Sequence, residues 1–207
     1  MVVGFKEGGR YVSTGLALVT GAGRGTGRAI ALALGTAGAR VVCIDVNPDA
    51  AQRTAAEIGA SAIAKQADIS NKMAVQTLLY ELLEAGERLA VLVNAAHVSP
   101  HTPALTLDEW EWNRTLDVNL KGAFLMAQTV ARAMKETGGG LIVNVVRPAE
   151  TALAAAAAAA RAGLVGLTAA LADEWAPVGV RVVLVEAAGE AAAADVLLHY
   201  AGLWPAA

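Results

Sequence analysis

Cysteine is almost missing from this chain of 207 residues: the single one, Cys43, lies in an apolar run and has no partner for an internal disulfide. The fold therefore does not depend on oxidation, and Cys43 reads as a free core thiol. Aromatic residues are scarce at 4%, and no basic run occurs in a chain whose net charge is only −3. That balance excludes the electrostatic footprint of a nucleic-acid binder. A convincing membrane span is missing too. The longest weakly polar stretch, Thr151 to Ala172, is long enough to cross a bilayer, but it carries Arg161 and is mostly alanine and glycine. It reads as a buried or interface helix. The N-terminus holds Lys6, Glu7 and Arg10 with no apolar core segment, which is not the layout of a signal peptide, so a cytoplasmic location is expected. No metal site is expected.

What is present is apolar and finely divided. Hydrophobic residues make up 56% of the chain and charged ones 17%, with much of the apolar share in alanine, a composition that suits closely packed helices. A chain of this length forms one domain that buries about 70% of its unfolded surface. Short runs rich in Val, Ile and Leu mark strands at Leu16 to Thr20, Arg40 to Asp45, Ala62 to Gln66, Leu89 to Asn94, Leu141 to Val146 and Val180 to Val185. Continuous apolar runs of this kind belong to strands buried on both faces. Between them, helices are expected near Gly25 to Ala37, Pro48 to Ile58, Asn71 to Ala85, Leu107 to Thr137 with a break near Asn119, and Thr151 to Trp175. The alternation predicts an α/β fold, a Rossmann-like doubly wound parallel sheet, as a single domain over residues 1–207.

Residues Thr20 to Gly27 read Thr-Gly-Ala-Gly-Arg-Gly-Thr-Gly, between the first apolar strand and the first helical run. Glycines at Gly21, Gly23, Gly25 and Gly27 permit a tight turn and a close backbone approach to a pyrophosphate. The helix N-terminus favours its charge, with Thr20, Arg24 and Thr26 completing the loop. A dinucleotide is the expected ligand. About twenty residues further on, Asp45 ends the second strand, where a carboxylate bonds the adenosine ribose hydroxyls and repels a 2′-phosphate. NAD is expected over NADP; the structural alternative is that Asp45 only starts a turn with Asn47 and Pro48. Asp68, with Ile69 beside it, can receive the adenine amino group, or cap the helix that begins near Asn71.

With their spacing, these features resemble the short-chain dehydrogenase/reductase family over about Gly15 to Val185. Leu92-Val93-Asn94-Ala95-Ala96-His97 looks like the family's Asn-Asn-Ala-Gly strand end, with His97 where glycine is usual. By this resemblance Asn94 and Ala95 belong to the cofactor site. Asp117-Val118-Asn119-Leu120 resembles the segment of the catalytic asparagine, Ile142-Val143-Asn144 the strand leading to the catalytic serine, and Arg161 to Thr168 the helix of the Tyr-x-x-x-Lys pair. The resemblance implies that Asn119 helps hold a water in a proton relay.

The departures fall on the catalytic positions. None of the three tyrosines, Tyr11, Tyr80 and Tyr200, is followed four positions later by lysine. Aligned with the family, the serine position is Arg147, the tyrosine position Ala157 and the lysine position Arg161, and the stretch from Arg147 to Ala157 is about three residues short. Between Arg147 and Ala160 the only hydroxyl is Thr151. Alanine has no proton to give. Arg161 can still donate hydrogen bonds to a nicotinamide ribose, but its very high pKa makes it a poor proton-transfer group. Where the family has Pro-Gly, this chain reads Glu186-Ala187-Ala188-Gly189, and a reduced C-terminal substrate region is expected, with Ala191 to Tyr200 a remnant of the usual helix.

Two residues offer other chemistry: His97 as an acid or base, and Arg147 as an anion or oxyanion binder. The structural alternatives make His97 a simple substitution and pair Arg147 with Glu150 or solvent. Trp110 and Trp112 read as packing residues. In the relatives, the helices matching 120–135 and 151–175 form a subunit interface, and the small residues Ala154 to Ala160, Ala162, Gly163 and Gly166 allow close helix approach. A homodimer, or a heteromer with a related dehydrogenase, is implied. The expected function is an NAD(H)-binding, catalytically degenerate structural or regulatory subunit. The alternatives are an atypical NAD-dependent oxidoreductase or non-redox enzyme using His97 and Arg147, and a remnant with no role.

Overall fold

The computed structural model describes residues 5–7, 10–12, 15–148, 154–186, 188, 191–193 and 195–196, with side chains from residue 15 onward. A short antiparallel pair, β1 (Phe5–Glu7) and β2 (Arg10–Val12), precedes the main body. It was not foreseen from the sequence. Six parallel strands follow: β3 (Leu16–Thr20), β4 (Arg40–Asp45), β5 (Ala62–Gln66), β6 (Leu89–Asn94), β7 (Gly140–Val146) and β8 (Val180–Glu186). They lie in the order β5-β4-β3-β6-β7-β8. The order reverses between β3 and β6, and ligand crevices of open α/β sheets form at such a point.

Alternate residues of the strands feed two cores. Leu16, Leu18, Val42, Ile44, Leu92 and Ile142 face one side, with helices α3 (Lys72–Glu84) and α5 (Ala123–Glu136) packed there through Leu78, Leu79, Met126 and Met134. Ala17, Val19, Val41, Cys43, Val91 and Val93 face the other, against α1 (Gly25–Thr36) through Ile30 and Leu34 and against Ala55 of α2 (Pro48–Ile58). Each fully buried Leu or Ile contributes about 1.5–3 kcal/mol, so the two cores are what order the sheet. Burial pushes the Cys43 thiol up to about 11. The free core thiol expected from the sequence is where it should be.

The helix expected over Leu107 to Thr137 is α4 (Glu109–Leu116), a π-helical turn at Asp117–Gly122 and then α5. Instead of breaking near Asn119, the chain widens there, a device that re-aims side chains without ending a helix. Helix α6 (Ala155–Trp175) is long and apolar enough to cross a membrane by length and composition, yet Ala156, Ala160, Leu164, Thr168 and Leu171 are buried against the fold. Residues 151–153, included in that helix from the sequence, lie outside the described residues. Of the expected remnant helix, residues 191–193 and 195–196 are helical, and Ala192 and Val196 join the second core. The rest of it, Tyr200 included, lies outside the described residues.

Candidate active site

The glycine turn is built by backbone proximity. Gly21 has φ +66, and a Cβ there would come within 2.7 Å of Ala96 Cα; one on Gly27 would stand 2.2 Å from the Gly21 carbonyl oxygen. Any side chain at either place forces the loop open. Gly25, at φ +54, faces open space, so its glycine answers to conformation and not to crowding. Helix α1 then starts with no side-chain cap, whereas Asn47, Asn71 and Asp108 cap α2, α3 and α4. A cradle that a Cβ would fill, ending on an uncapped helix start, fits a phosphate-bearing ligand.

Asp45 makes the turn contact given as its structural alternative and also holds the glycine loop. Its Oδ1 accepts the N–H of Asn47 at 3.0 Å, setting the turn, and its Oδ2 accepts the N–H of Gly23 at 2.9 Å. That amide, expected to face a pyrophosphate, is thus held by the strand end. Two carboxylate oxygens carry about four acceptor sites, so capacity remains for ligand hydroxyls. Asp68 does not cap the third helix: its Oδ1 accepts from Ser70 N and Oγ, and Asn71 caps the helix by accepting from Met73 and Ala74.

A cleft of about 870 Å³ runs along the C-terminal ends of the strands. Gly21, Arg24, Gly25, Thr26, Gly27, Asp45, Asp68, Ile69 and Ala95 line it, and so do His97 and Arg147 further along. The volume suits a dinucleotide-sized ligand. Thr20, Gly23, Asn94, Asn119 and Arg161 stand outside its lining. Thr20 is fully buried; its Oγ1 accepts from the N–H groups of Ala95 and Ala96 and donates to Val93 O, locking β3 to the start of the loop after β6.

Behind the cleft, Asn94, Asn119, Ala157, Arg161, His97 and Arg147 share a second, far smaller cavity of about 20 Å³. Asn119 spends its amide on the backbone of Val98, donating to its carbonyl at 2.7 Å and accepting its N–H at 2.8 Å. Arg161 donates from Nε to Arg147 O at 3.0 Å and from Nη2 to Glu186 Oε1 at 2.5 Å. Two donor groups of Arg161, the residue expected to serve a nicotinamide ribose, are thus committed within the chain. Glu150, the partner considered for Arg147, lies outside the described residues. His97 borders the cleft with part of its surface open, and its imidazole is held below its ordinary pKa, first by the protein atoms that partly desolvate the ring and second by the positive charge of Arg147.

The sequence reading missed the wall opposite Asp45 and Asp68. Trp110, Glu111, Arg114, Thr115 and Val118 line the cleft, and the Arg114 guanidinium lies 5.8 Å from the Trp110 ring centre. Both tryptophans are exposed, Trp110 at 69%, which corrects their reading as packing residues. The signal was available: positions 110, 111, 114, 115 and 118 fall on one helical face.

Residues 15–194 match the short chain dehydrogenase family. The chain is 40% identical over 173 residues to the D-threitol dehydrogenase of Mycolicibacterium smegmatis, covering 81% of this chain and 66% of that enzyme, just under two thirds of its length. A metagenomic short-chain oxidoreductase solved in complex with NADP superposes with a TM-score of 0.83 at 34% identity, covering 91% of both chains. The 3-ketoacyl-(acyl-carrier-protein) reductase of Brucella melitensis, complexed with NADH, gives 0.77 at 33% identity over 83% of this chain and 74% of that one.

Proposed function

The chain belongs to the short chain dehydrogenase family, and from this premise we propose that it binds NAD(H) in the long cleft without ordinary turnover, as a structural or regulatory subunit. The observation that carries the reading is the set of side chains at the inner cavity: Ala157 and Arg161 stand where the family resemblance places a tyrosine and a lysine, and Arg147 where it places a serine. A pyridine nucleotide supplies hydride transfer when bound. The chain must supply the matching proton, and Ala157 has none, while the Arg161 guanidinium is tied to Glu186 and to Arg147 O. NAD is favoured over NADP because Asp45 sets a carboxylate at the cleft where a 2′-phosphate would be repelled. Incubation of the protein with NAD+ and D-threitol, followed by NADH absorbance, is expected to give no rate above the enzyme-free control. Steady turnover would overturn the reading.

A partner subunit belongs to this proposal. Helix α6 keeps Ala158, Ala159, Ala162, Gly166, Ala169 and Ala170 exposed, a small-residue face suited to close helix packing with a second copy or a related chain. Gly163 is not part of that face: a Cβ there would lie 2.8 Å from Leu120 Cδ2 of the same chain. A cytoplasmic location, apart from membrane and nucleic acid, goes with the reading, supported by the net charge of −3 and by Arg161 within α6.

One observation favours a second reading. His97 and Arg147 line both the cleft and the smaller cavity, so an imidazole and a cation border the space that a ligand there would fill. In this reading the protein is an atypical enzyme, and His97→Ala abolishes whatever turnover the wild type has.

A further inference from the structure

Two buried side-chain atoms have no hydrogen-bond partner among the described residues, Glu111 Oε1 and Asn94 Oδ1, and the second points to a site for a small donor. Asn94 is only 4% exposed, and its Oδ1 is buried with no hydrogen-bond partner among the described residues. Its orientation is fixed by its neighbours. Asn94 Nδ2 donates to Ala123 O at 3.1 Å and to Asn144 Oδ1 at 2.9 Å. A backbone carbonyl only accepts, so the amino group must face Ala123 and the oxygen must face away.

The next links are fixed in the same sense. Thr168 Oγ1 donates to Leu164 O at 2.6 Å, so towards Asn144 it can only accept, and Asn144 Nδ2 donates to it at 2.9 Å. Asn144 Oδ1 is thereby turned towards Asn94. The chain of bonds from α6 through β7 to β6 runs in one direction and leaves one acceptor over. Asn94 is also part of the wall of the cavity of about 20 Å³, with Ala157 and Asn119.

A buried amide oxygen left without a donor is costly, and a polar space of that size accommodates about one water molecule. No described donor of the chain reaches Asn94 Oδ1. Asn119 is spent on Val98, and Arg161 directs Nε and Nη2 to Arg147 O and Glu186. We propose that the cavity binds one ordered water that donates to Asn94 Oδ1, with the methyl-sized side chain of Ala157 leaving the room for it. The water completes the Leu164–Thr168–Asn144–Asn94 chain, which ties α6 to β7 and β6. Since His97 and Arg147 border both spaces, it exchanges with solvent of the cleft. The site stands whether or not a nucleotide binds.

Two measurements test it. A high-resolution crystal structure of the unliganded protein is expected to show a water peak within hydrogen-bond distance of Asn94 Oδ1. The isosteric pair Ala157→Thr and Ala157→Val supplies the second. Both fill the cavity and displace the water, but only threonine brings a hydroxyl to replace it, so the threonine variant is expected to melt about 2–4 °C above the valine variant. In a dry cavity valine fills empty space without displacing a hydrogen bond and melts above the wild type, whereas loss of a bound water lowers its melting temperature. Empty density at Asn94, or a valine variant melting at or above the wild type, overturns the proposal.

Discussion

Arg161 and Glu186 hold each other across the end of the sheet: Arg161 Nη2 donates to Glu186 Oε1 at 2.5 Å, joining α6 to the last residue of β8. The side chains are 22% and 44% exposed, so solvent screens much of the attraction and the pair is worth about 0–1 kcal/mol. Glu186→Gln is expected to lower Tm by no more than about 4 °C. If Arg161 is a structural residue, NADH affinity in that variant stays within about twofold of wild type by calorimetry. A large gain in affinity would mean that the freed guanidinium enters the cleft.

Gly27 is the most exacting position of the glycine turn. A Cβ there would sit 2.2 Å from Gly21 O and 2.9 Å from Thr20 O, both backbone atoms that cannot rotate aside. Gly27→Ala is expected to destabilise the fold by about 1–3 kcal/mol in urea denaturation, and to weaken NADH binding as the loop is pushed open. Gly25→Ala removes only the freedom to hold φ +54 and costs about 1 kcal/mol. Equal losses at the two positions would contradict the packing account.

Cys43 is fully buried, and its thiol is pushed up to about 11 by desolvation. The reactive thiolate is scarce at neutral pH and out of reach. A maleimide or disulfide reagent is expected to leave the native protein unmodified and to label it fully in denaturant. Rapid labelling of the native protein would show that the core around β4 opens.

His97 makes stability depend on pH with a definite sign. Its folded pKa lies below the ordinary 6.5, first through desolvation and then through Arg147. The unfolded chain therefore takes up a proton at this residue before the folded one does. Its contribution is intact above about pH 6.5 and is lost progressively as pH falls from there through the folded pKa. Replacing His97 by glutamine is expected to flatten the loss of stability between about pH 6.5 and 5 in urea titrations. An unchanged slope would place the imidazole in free solvent.

Much of the framework was legible from residues close together in the chain. Leu16–Thr20 and Leu89–Asn94 are strands over the bounds expected, since runs apolar on both faces admit little else. Asn47 followed by Pro48 marks the start of α2 by cap chemistry alone, and Asn47 Oδ1 accepts the N–H of Ala50. What escaped the sequence depends on partners far apart. Gly23 and Asp45 are 22 positions apart and Arg161 and Glu186 are 25, and neither bond follows from local periodicity. The π-helical turn at Asp117–Gly122 likewise has a contact from far along the chain, where a Cβ on Gly122 would meet Ile69 at 2.9 Å. Trp110 defeated the usual expectation for an aromatic on a helix because it faces the cleft and Arg114 instead of a core.

The central claim is a working NAD(H) cradle governed by Asp45. It is tested most directly by calorimetric titration of the purified protein with NADH and with NADPH, beside Asp45→Ala. Saturable NADH binding, tighter than NADPH in the wild type and weakened at least about tenfold in Asp45→Ala, is the predicted result. Absence of binding to either nucleotide, or NADH affinity untouched by Asp45→Ala, would contradict it.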